Sequence, residues 1–136
     1  MSKIEHTLSI IKPDAVERNL ESKIKTIFQN NGFKIIKEKK IKLEKEDAEK
    51  FYKVHETKPF YNDLCEYLSS GAIVVMVLER ENAIKSNRDL MGATDPSKAQ
   101  EGTIRKLFGK SIDKNSVHGS DSLENAKIEI DFFFKR

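Results

Sequence analysis

The chain has 136 residues, of which 38% are apolar and 35% are charged. This balance excludes a disordered protein and a membrane protein, and the length suits one domain, residues 1–136, with a single core. The 25 basic and 22 acidic residues leave a formal net charge of +3, which is too small to indicate a nucleic-acid binder. Cys65 is the only cysteine, so an internal disulfide framework and a cysteine-rich metal site are excluded, and its apolar surroundings indicate a core residue.

The first third of the chain predicts a strand, a helix and a second strand. HTLSIIK alternates apolar with small polar residues before a proline, which predicts a strand ending at Lys12. The following helix is closed by Asn31-Gly32, a pair suited to a left-handed cap. Its apolar residues are Leu20, Ile24, Ile27 and Phe28. The next strand runs from Phe33 to about Leu43, and its apolar residues are expected on one side: Phe33, Ile35, Ile41 and Leu43. The basic stretch within it, KIIKEKKIK, indicates a solvated face rather than a phosphate-attracting patch.

The middle of the chain predicts two helices and a central strand. The first helix carries Ala48, Phe51, Tyr52 and His55 on one face. The second follows Pro59, with Phe60 at its entrance, and its apolar residues are Tyr61, Leu64, Cys65 and Leu68. Residues 72–78, AIVVMVL, are continuously apolar and β-branched, which is typical of a strand covered on both faces at the centre of a sheet.

The last third predicts a helix over 82–89, a loop over 92–102, a short strand over 116–118 and a helix over 122–133. Asp121 and Glu124 are spaced as in a capping box for that final helix, whose apolar stripe comprises Leu123, Ala126, Ile130 and Phe133. The order of elements predicts an α+β fold of the ferredoxin-like type, in which helices cover a four-stranded, largely antiparallel sheet.

The chain lacks the G-x-x-x-x-G-K-[ST] loop, a strand-linked G-x-G-x-x-G and H-E-x-x-H, so side chains must hold any nucleotide. The scattered candidates are Lys12, Arg88, Thr94 and Arg105, each of which by itself is expected to be a surface residue. Together with His118 they fit phosphoryl transfer, which requires positioning and charge neutralisation. A neutral imidazole can also attack phosphorus if its other nitrogen meets an acceptor. Glu129 in the next helix could be that acceptor, or a solvated helix residue.

Five segments in order resemble the nucleoside diphosphate kinase family. They are HTLSIIKPDAV, KPFYNDLCEYLSSGAIVVMVLE, RDLMGATDP, GTIR and N-x-x-HGSDS, and the last is the most specific. The resemblance covers nearly the whole chain. It implies reversible transfer of the γ-phosphate of a nucleoside triphosphate, such as ATP, to a nucleoside diphosphate, such as GDP, through a phosphohistidine on His118. Departures from the family pattern include Ala72 in place of proline, Arg80 in place of glycine, and Leu107 after Lys106.

The resemblance also implies roles for individual residues. His118 is the nucleophile and Glu129 orients it through the far ring nitrogen. Lys12 with Asn115 contacts the ribose hydroxyls and the region of the γ-phosphate, and Ser120 binds or orients near the nucleophile. The phosphates are surrounded by Tyr52, His55, Arg88, Thr94 and Arg105, with Tyr52 close to His118. Phe60 and Ile112 stack on the two faces of the base, and stacking tolerates any base. Mg²⁺ arrives on the phosphates, with no dedicated metal site in the protein.

Assembly, location and alternative functions complete the expectations. The resemblance and the long basic strand predict a homo-oligomer built from dimers, and the early end of the chain favours a tetramer over a hexamer. No secretory signal is visible, and no apolar run could span a bilayer, so the expected location is the cytoplasm. Two alternative functions remain: a nucleic-acid-binding ferredoxin-like module and a nucleotide-binding scaffold without activity. No strand carries an aromatic-rich RNA-binding pattern, which counts against the first alternative.

Overall fold

The computed structural model describes residues 3–111 and 114–134, and its centre is one antiparallel sheet. The four strands are β1 (Ile4–Ile11), β2 (Lys34–Ile41), β3 (Ile73–Glu81) and β4 (Val117–Gly119). Their spatial order is β2-β3-β1-β4, so the two longest apolar strands are central and β4 is a short edge strand. The predicted ferredoxin-like α+β architecture is confirmed.

Helices connect the strands and cover the sheet. They are α1 (Pro13–Glu17), α2 (Glu21–Asn30), α3 (Lys45–Phe51), α4 (Tyr61–Leu68), α5 (Ala83–Met91), α6 (Ile104–Phe108) and α7 (Leu123–Phe134). Single 3-10 turns follow α3, at Lys53–His55, and α5, at Pro96–Lys98. Across the described ranges, no helix is long and apolar enough to cross a membrane.

Both faces of the sheet are buried, as the composition of β3 predicts. Val74, Met76 and Leu78 pack on one face with residues of α1, α2, α5 and α6. Ile73 and Val75 pack on the other face with residues of α3, α4 and α7. Cys65 belongs to this second core, where it is fully buried, in agreement with the prediction of a core cysteine.

The prediction that the apolar residues of β2 share one side is wrong. Phe33 and Ile35 pack into the core on one face, whereas Ile41 and Leu43 pack into the core on the opposite face. The cause is an irregularity in the pairing with β3: the register shifts between Ile35 and Lys37. One extra residue in a strand reverses the side to which every later side chain points.

The ends of two helices show how local chemistry and tertiary contacts combine. As predicted, α2 ends at Asn31 and Gly32, and Gly32 has the left-handed φ of 85°. The side chain of Arg80 reaches this end from β3, where it donates to the Asn31 carbonyl at 2.6 Å and covers the Phe33 ring. Arg80, a departure from the family pattern, therefore anchors the end of α2.

The predicted capping box of the last helix does not form. The Ser122 hydroxyl accepts from the backbone N–H of Asn125 at 3.1 Å, which makes Ser122 the cap. Asp121 instead accepts from the Asn125 side chain at 2.6 Å. Glu124 is exposed on the helix surface. Because Ser122 is the cap, the Asp121 carboxylate lies at the rim of the cavity described below.

Candidate active site

A cavity of about 650 Å³ lies at the ends of β1 and β4, between α3, α4, α5 and α7. Within the described chain, all the predicted site residues line this cavity except Ser120, which lies behind Glu129. Those that line it are Lys12, Tyr52, His55, Phe60, Arg88, Thr94, Arg105, Asn115, His118 and Glu129. Ile112, the second predicted base-stacking residue, lies outside the described residues. The fold thus brings together side chains from segments that are far apart in the chain.

His118 is the middle residue of β4, which is held against β1. The strand starts one residue later than predicted, because Ser116 adopts a positive φ of 77°. His118 lies opposite Ile10 in the pairing of β4 with β1. About 21% of its side chain is exposed, so the imidazole is fixed by a strand and still faces the cavity.

Glu129 binds the imidazole and is held in turn by Ser120. Its Oε1 lies 3.1 Å from His118 Nε2 and accepts from the Ser120 hydroxyl at 2.7 Å. Ser120 is fully buried, and its backbone and hydroxyl both bond to the backbone of Leu8 in β1. A carboxylate only accepts, so the Nε2 nitrogen carries the proton and the lone pair of neutral imidazole is on Nδ1. This arrangement leaves Nδ1 available to react.

Gly119 is required for space rather than for a tight turn. It ends β4 and is not among the positive-φ residues of the described chain. A Cβ at this position would lie 2.4 Å from Asn87 Nδ2 and 2.7 Å from Met91 Cε, both on α5. The glycine therefore lets α5 pack directly against the strand that carries His118.

Lys12 and Asn115 form one connected group at the floor of the cavity. Lys12 Nζ donates to Asn115 Oδ1 at 3.0 Å, and Asn115 Nδ2 donates to the Thr94 carbonyl at 3.2 Å. The Lys12 and Asn115 side chains are both nearly buried. The backbone N–H of Lys12 also bonds to the carbonyl of Ser116, just before β4. A lysine charge is thereby held close to the nucleophile strand.

Two arginines add positive charge to the same cavity. Arg105 is largely buried, and its guanidinium donates to the carbonyls of Gly92 and Val117 at 3.0 and 2.9 Å. Burial and, secondarily, the nearby charge of Arg88 lower the pKa of Arg105 to about 10. Arg105 is still charged at neutral pH, and an anion between the two guanidinium groups would relieve their repulsion. Arg105 thus also ties the loop after α5 to the residue before His118.

Comparisons with known proteins agree with this geometry. The family model "Nucleoside diphosphate kinase" matches residues 5–136. The chain belongs to the nucleoside diphosphate kinase family.

Relatives from distant sources are similar over almost their whole length. A nucleoside diphosphate kinase of Persephonella marina is 58% identical over 133 residues, which are 98% of this chain and 95% of the relative. One of Campylobacter jejuni is 61% identical over 132 residues, 97% of this chain and 96% of the relative. The crystal structure of the Aquifex aeolicus nucleoside diphosphate kinase superposes with a TM-score of 0.95 at 43% identity, covering 98% of this chain and 96% of that one.

A row of aromatic rings leads from the nucleophile to the cavity mouth of this nucleoside diphosphate kinase family member. Tyr52 contacts Phe51 and His55, with ring centroids 5.1 and 6.2 Å apart, and His55 in turn lies 5.9 Å from Phe60. Burial raises the pKa of the Tyr52 phenol, so its hydroxyl stays a hydrogen-bond donor at neutral pH. Phe60 occupies the N-cap position of α4 and remains 44% exposed, as a stacking surface requires.

Sequence reasoning missed several residues that line the cavity of this family member. They are Phe51, Leu64, Met91, Gly92, Ala93, Gly119, Asp121 and Asn125. The sequence pattern places Phe51 and Leu64 on apolar helix faces, and these faces do pack inward, so the pattern alone does not distinguish the two residues from core residues. Asp121 lies within the HGSDS motif, which was the available indication. Among the described residues, no three His, Cys, Asp or Glu side chains form a group that could hold a metal ion.

Proposed function

We propose that this protein catalyses reversible transfer of the γ-phosphate of a nucleoside triphosphate to a nucleoside diphosphate through a phosphohistidine on His118. The observation that carries the proposal is the pairing of His118 Nε2 with Glu129 inside a cavity that also contains one lysine and two arginines. The nucleophile, its acceptor and the positive charge for a polyphosphate lie in one place. Family membership supports the same reaction class.

The geometry supports a role for each nitrogen of the imidazole. The Nδ1 lone pair attacks the γ-phosphorus, the bond from phosphorus to the bridging oxygen breaks, and the nucleoside diphosphate leaves with that electron pair. The ring gains positive charge, which the Glu129 carboxylate stabilises through Nε2. In the second half-reaction, a terminal oxygen of another nucleoside diphosphate attacks the phosphorus and releases Nδ1. Ser120 keeps Glu129 in place throughout.

The remaining site residues bind and orient the nucleotide. Lys12 and the two arginines neutralise phosphate charge, and the Tyr52 hydroxyl donates near the nucleophile. Asn115 and Lys12 are assigned to the ribose hydroxyls, and His55 and Thr94 complete the surroundings, whereas Ser120 acts through Glu129. Phe60 stacks on the base, with Ile112 proposed on the other face. Base stacking without contacts to base edges accounts for acceptance of many nucleotides.

Mg²⁺ enters this proposal as part of the substrate. Two carboxylates among the described residues line the cavity, and Glu129 already accepts two hydrogen bonds, which leaves Asp121 at the rim. This donor set does not amount to a protein cage, and Mg²⁺ in nucleotide sites is held largely by phosphate oxygens and water. When bound, the ion screens the phosphate charges. We expect chelation of Mg²⁺ to stop transfer while the protein remains folded.

The alternative of an RNA-binding module is not favoured. Modules of the ferredoxin-like shape stack bases on an open sheet face, whereas both faces of this sheet are covered by buried cores. A scaffold that binds nucleotide without activity would keep the cavity and fail the chemical test below.

The decisive experiment uses ATP labelled in its terminal phosphate. The wild-type protein should form an acid-labile phosphoenzyme that GDP discharges to labelled GTP. His118→Ala should fold and bind nucleotide but show neither half-reaction. Glu129→Gln should keep reduced transfer, because an amide oxygen still accepts a hydrogen bond but stabilises the charged ring less. Near wild-type transfer by a folded His118→Ala protein would show that the mechanism is wrong.

Assembly and domain organisation remain part of the proposal. We infer a homo-oligomer built from dimers, with a tetramer favoured over a hexamer, and a single domain over residues 1–136. The exposed edge of β2 supports self-association. A single sheet that contains β1 to β4, with α7 packed on β1, supports one domain. Light scattering at micromolar concentration measures the oligomeric state. A single cooperative transition in an unfolding experiment would support one domain. A stable monomer would contradict the oligomer.

A further inference from the structure

We propose that Phe51 is a positioning residue for phosphoryl transfer, which fixes the plane of the His118 imidazole by edge-on ring packing. The inference rests on the proposed phosphohistidine function and adds a residue to it. The Phe51 and His118 ring centroids are 5.3 Å apart and their planes meet at 75°. Phe51 is the last residue of α3, and it lines the same cavity as the nucleophile.

One hydrogen bond does not by itself fix an imidazole. Glu129 Oε1 holds His118 at Nε2, which constrains one atom of the ring. Rotation about the Cβ–Cγ bond of histidine has broad minima, so the ring plane needs a second contact. The Phe51 ring supplies that contact at close to a right angle, an orientation that aromatic pairs prefer.

The two contacts on the imidazole are coupled through α7. Phe133 follows Glu129 by four residues, which places both on one side of the helix. Phe133 is buried, and its ring lies 5.3 Å from that of Phe51. The helix therefore reaches the nucleophile directly through Glu129 and indirectly through Phe133 and Phe51. A ring held in this way keeps Nδ1 directed at one point in the cavity.

The consequence concerns the rate of the chemical step more than nucleotide affinity. In-line attack on phosphorus depends on the direction of the Nδ1 lone pair, and displacement by about 1 Å can cost as much as ~100-fold in rate. Of the groups assigned to the nucleotide, Tyr52 is in ring contact with Phe51, whereas Lys12 and Phe60, which are assigned to the ribose and the base, have no described ring contact with it. A loosened imidazole should therefore lower kcat and leave KM nearly unchanged.

The test compares Phe51→Leu with Phe51→Tyr, and uses Phe132→Leu as the matched control. Phe132 also contacts the Phe51 and Phe133 rings, but it has no described ring contact with His118. We expect Phe51→Leu to lower kcat by ~10-fold or more with KM within about twofold of wild type. Phe51→Tyr keeps the ring and should stay within about threefold, and Phe132→Leu within about twofold. Phe51→Met serves in the same way if the leucine variant does not fold.

A spectroscopic measurement separates this proposal from the proposed function. The ring current of Phe51 should shift the carbon-bound imidazole protons of His118 in the NMR spectrum, and Phe51→Leu should abolish that shift whether or not the protein transfers phosphate. Absence of phosphoenzyme in the wild-type protein would overturn the function and not the packing. The positioning role is overturned if Phe51→Leu keeps kcat within twofold, if Phe132→Leu or Phe51→Tyr is equally slow, or if the His118 resonances do not move.

Discussion

Replacing Gly119 with alanine should push α5 and β4 apart and thereby displace His118, which β4 carries. The added methyl would lie 2.4 Å from Asn87 Nδ2, about 1 Å closer than the 3.4 Å at which ordinary contact begins. Met91 lies 2.7 Å away, but its flexible thioether can turn aside. The Asn87 side chain is short and fully buried, so it cannot turn away from the added methyl group. Overpacking of this kind costs about 1–3 kcal/mol of folding free energy.

The effect on catalysis should be larger than the effect on stability. The bond between His118 Nε2 and Glu129 is already 3.1 Å long, near the limit of about 3.2 Å for such bonds. A small shift of β4 would break it and turn Nδ1 away from the phosphate. We expect Gly119→Ala to slow phosphoenzyme formation by ~10- to 100-fold. Urea denaturation at fixed protein concentration measures the loss of stability, and single-turnover labelling measures the rate of phosphoenzyme formation.

A second substitution tests the cause. The amide of Asn87 makes no hydrogen bond within the described structure, so Asn87→Ala should be close to neutral, because lost packing is offset by removal of unpaired buried polar atoms. Combined with Gly119→Ala it should restore at least half of the lost stability, a coupling within the ~0.5–3 kcal/mol seen for residues in contact. Wild-type behaviour of Gly119→Ala, or a double variant as unstable as the sum of the single variants, would refute the reasoning.

Three further predictions concern the scaffold and the base site. Arg80→Ala should lower the free energy of unfolding by about 1 kcal/mol in urea denaturation, because it removes a hydrogen bond to the end of α2 and the contact with the Phe33 ring. The control is Lys85→Ala, whose exposed side chain should cause no measurable change in the same experiment. Burial and a hydrogen bond to Asp14 raise the pKa of Tyr67, so its contribution to stability is complete below the unfolded phenol pKa of about 10 and is lost as pH rises above it. The gap in urea midpoint between wild type and Tyr67→Phe should therefore be wide at about pH 8 and narrow at about pH 11; a constant gap would contradict this. Phe60→Ala should weaken the binding of purine and pyrimidine nucleotides alike, by ~1–3 kcal/mol, in calorimetric titration, and a loss confined to guanine nucleotides would exclude simple stacking.

The amino-acid sequence by itself determined those features that depend on neighbouring residues. The continuous apolar run of β3 predicts that both of its faces are buried, as the structure shows. Gly32 supplies the left-handed residue that ends α2. The position of Phe60 at the start of α4 agrees with the break in the helical pattern predicted at Pro59. The family resemblance of the motif around His118 marked this residue as the nucleophile candidate, with Glu129 in the next helix as its expected acceptor.

Only the tertiary structure decided the features that depend on segments far apart in the chain. The irregularity in β2 splits its apolar residues between two cores, because strand register is set by the partner strand. Gly119 is needed because α5 crosses behind it, and Phe51 faces His118 because α3 and α7 meet beside β4. Periodicity places a side chain on a face, but which residue it meets there depends on how distant elements pack, and that packing fixes the geometry of the site.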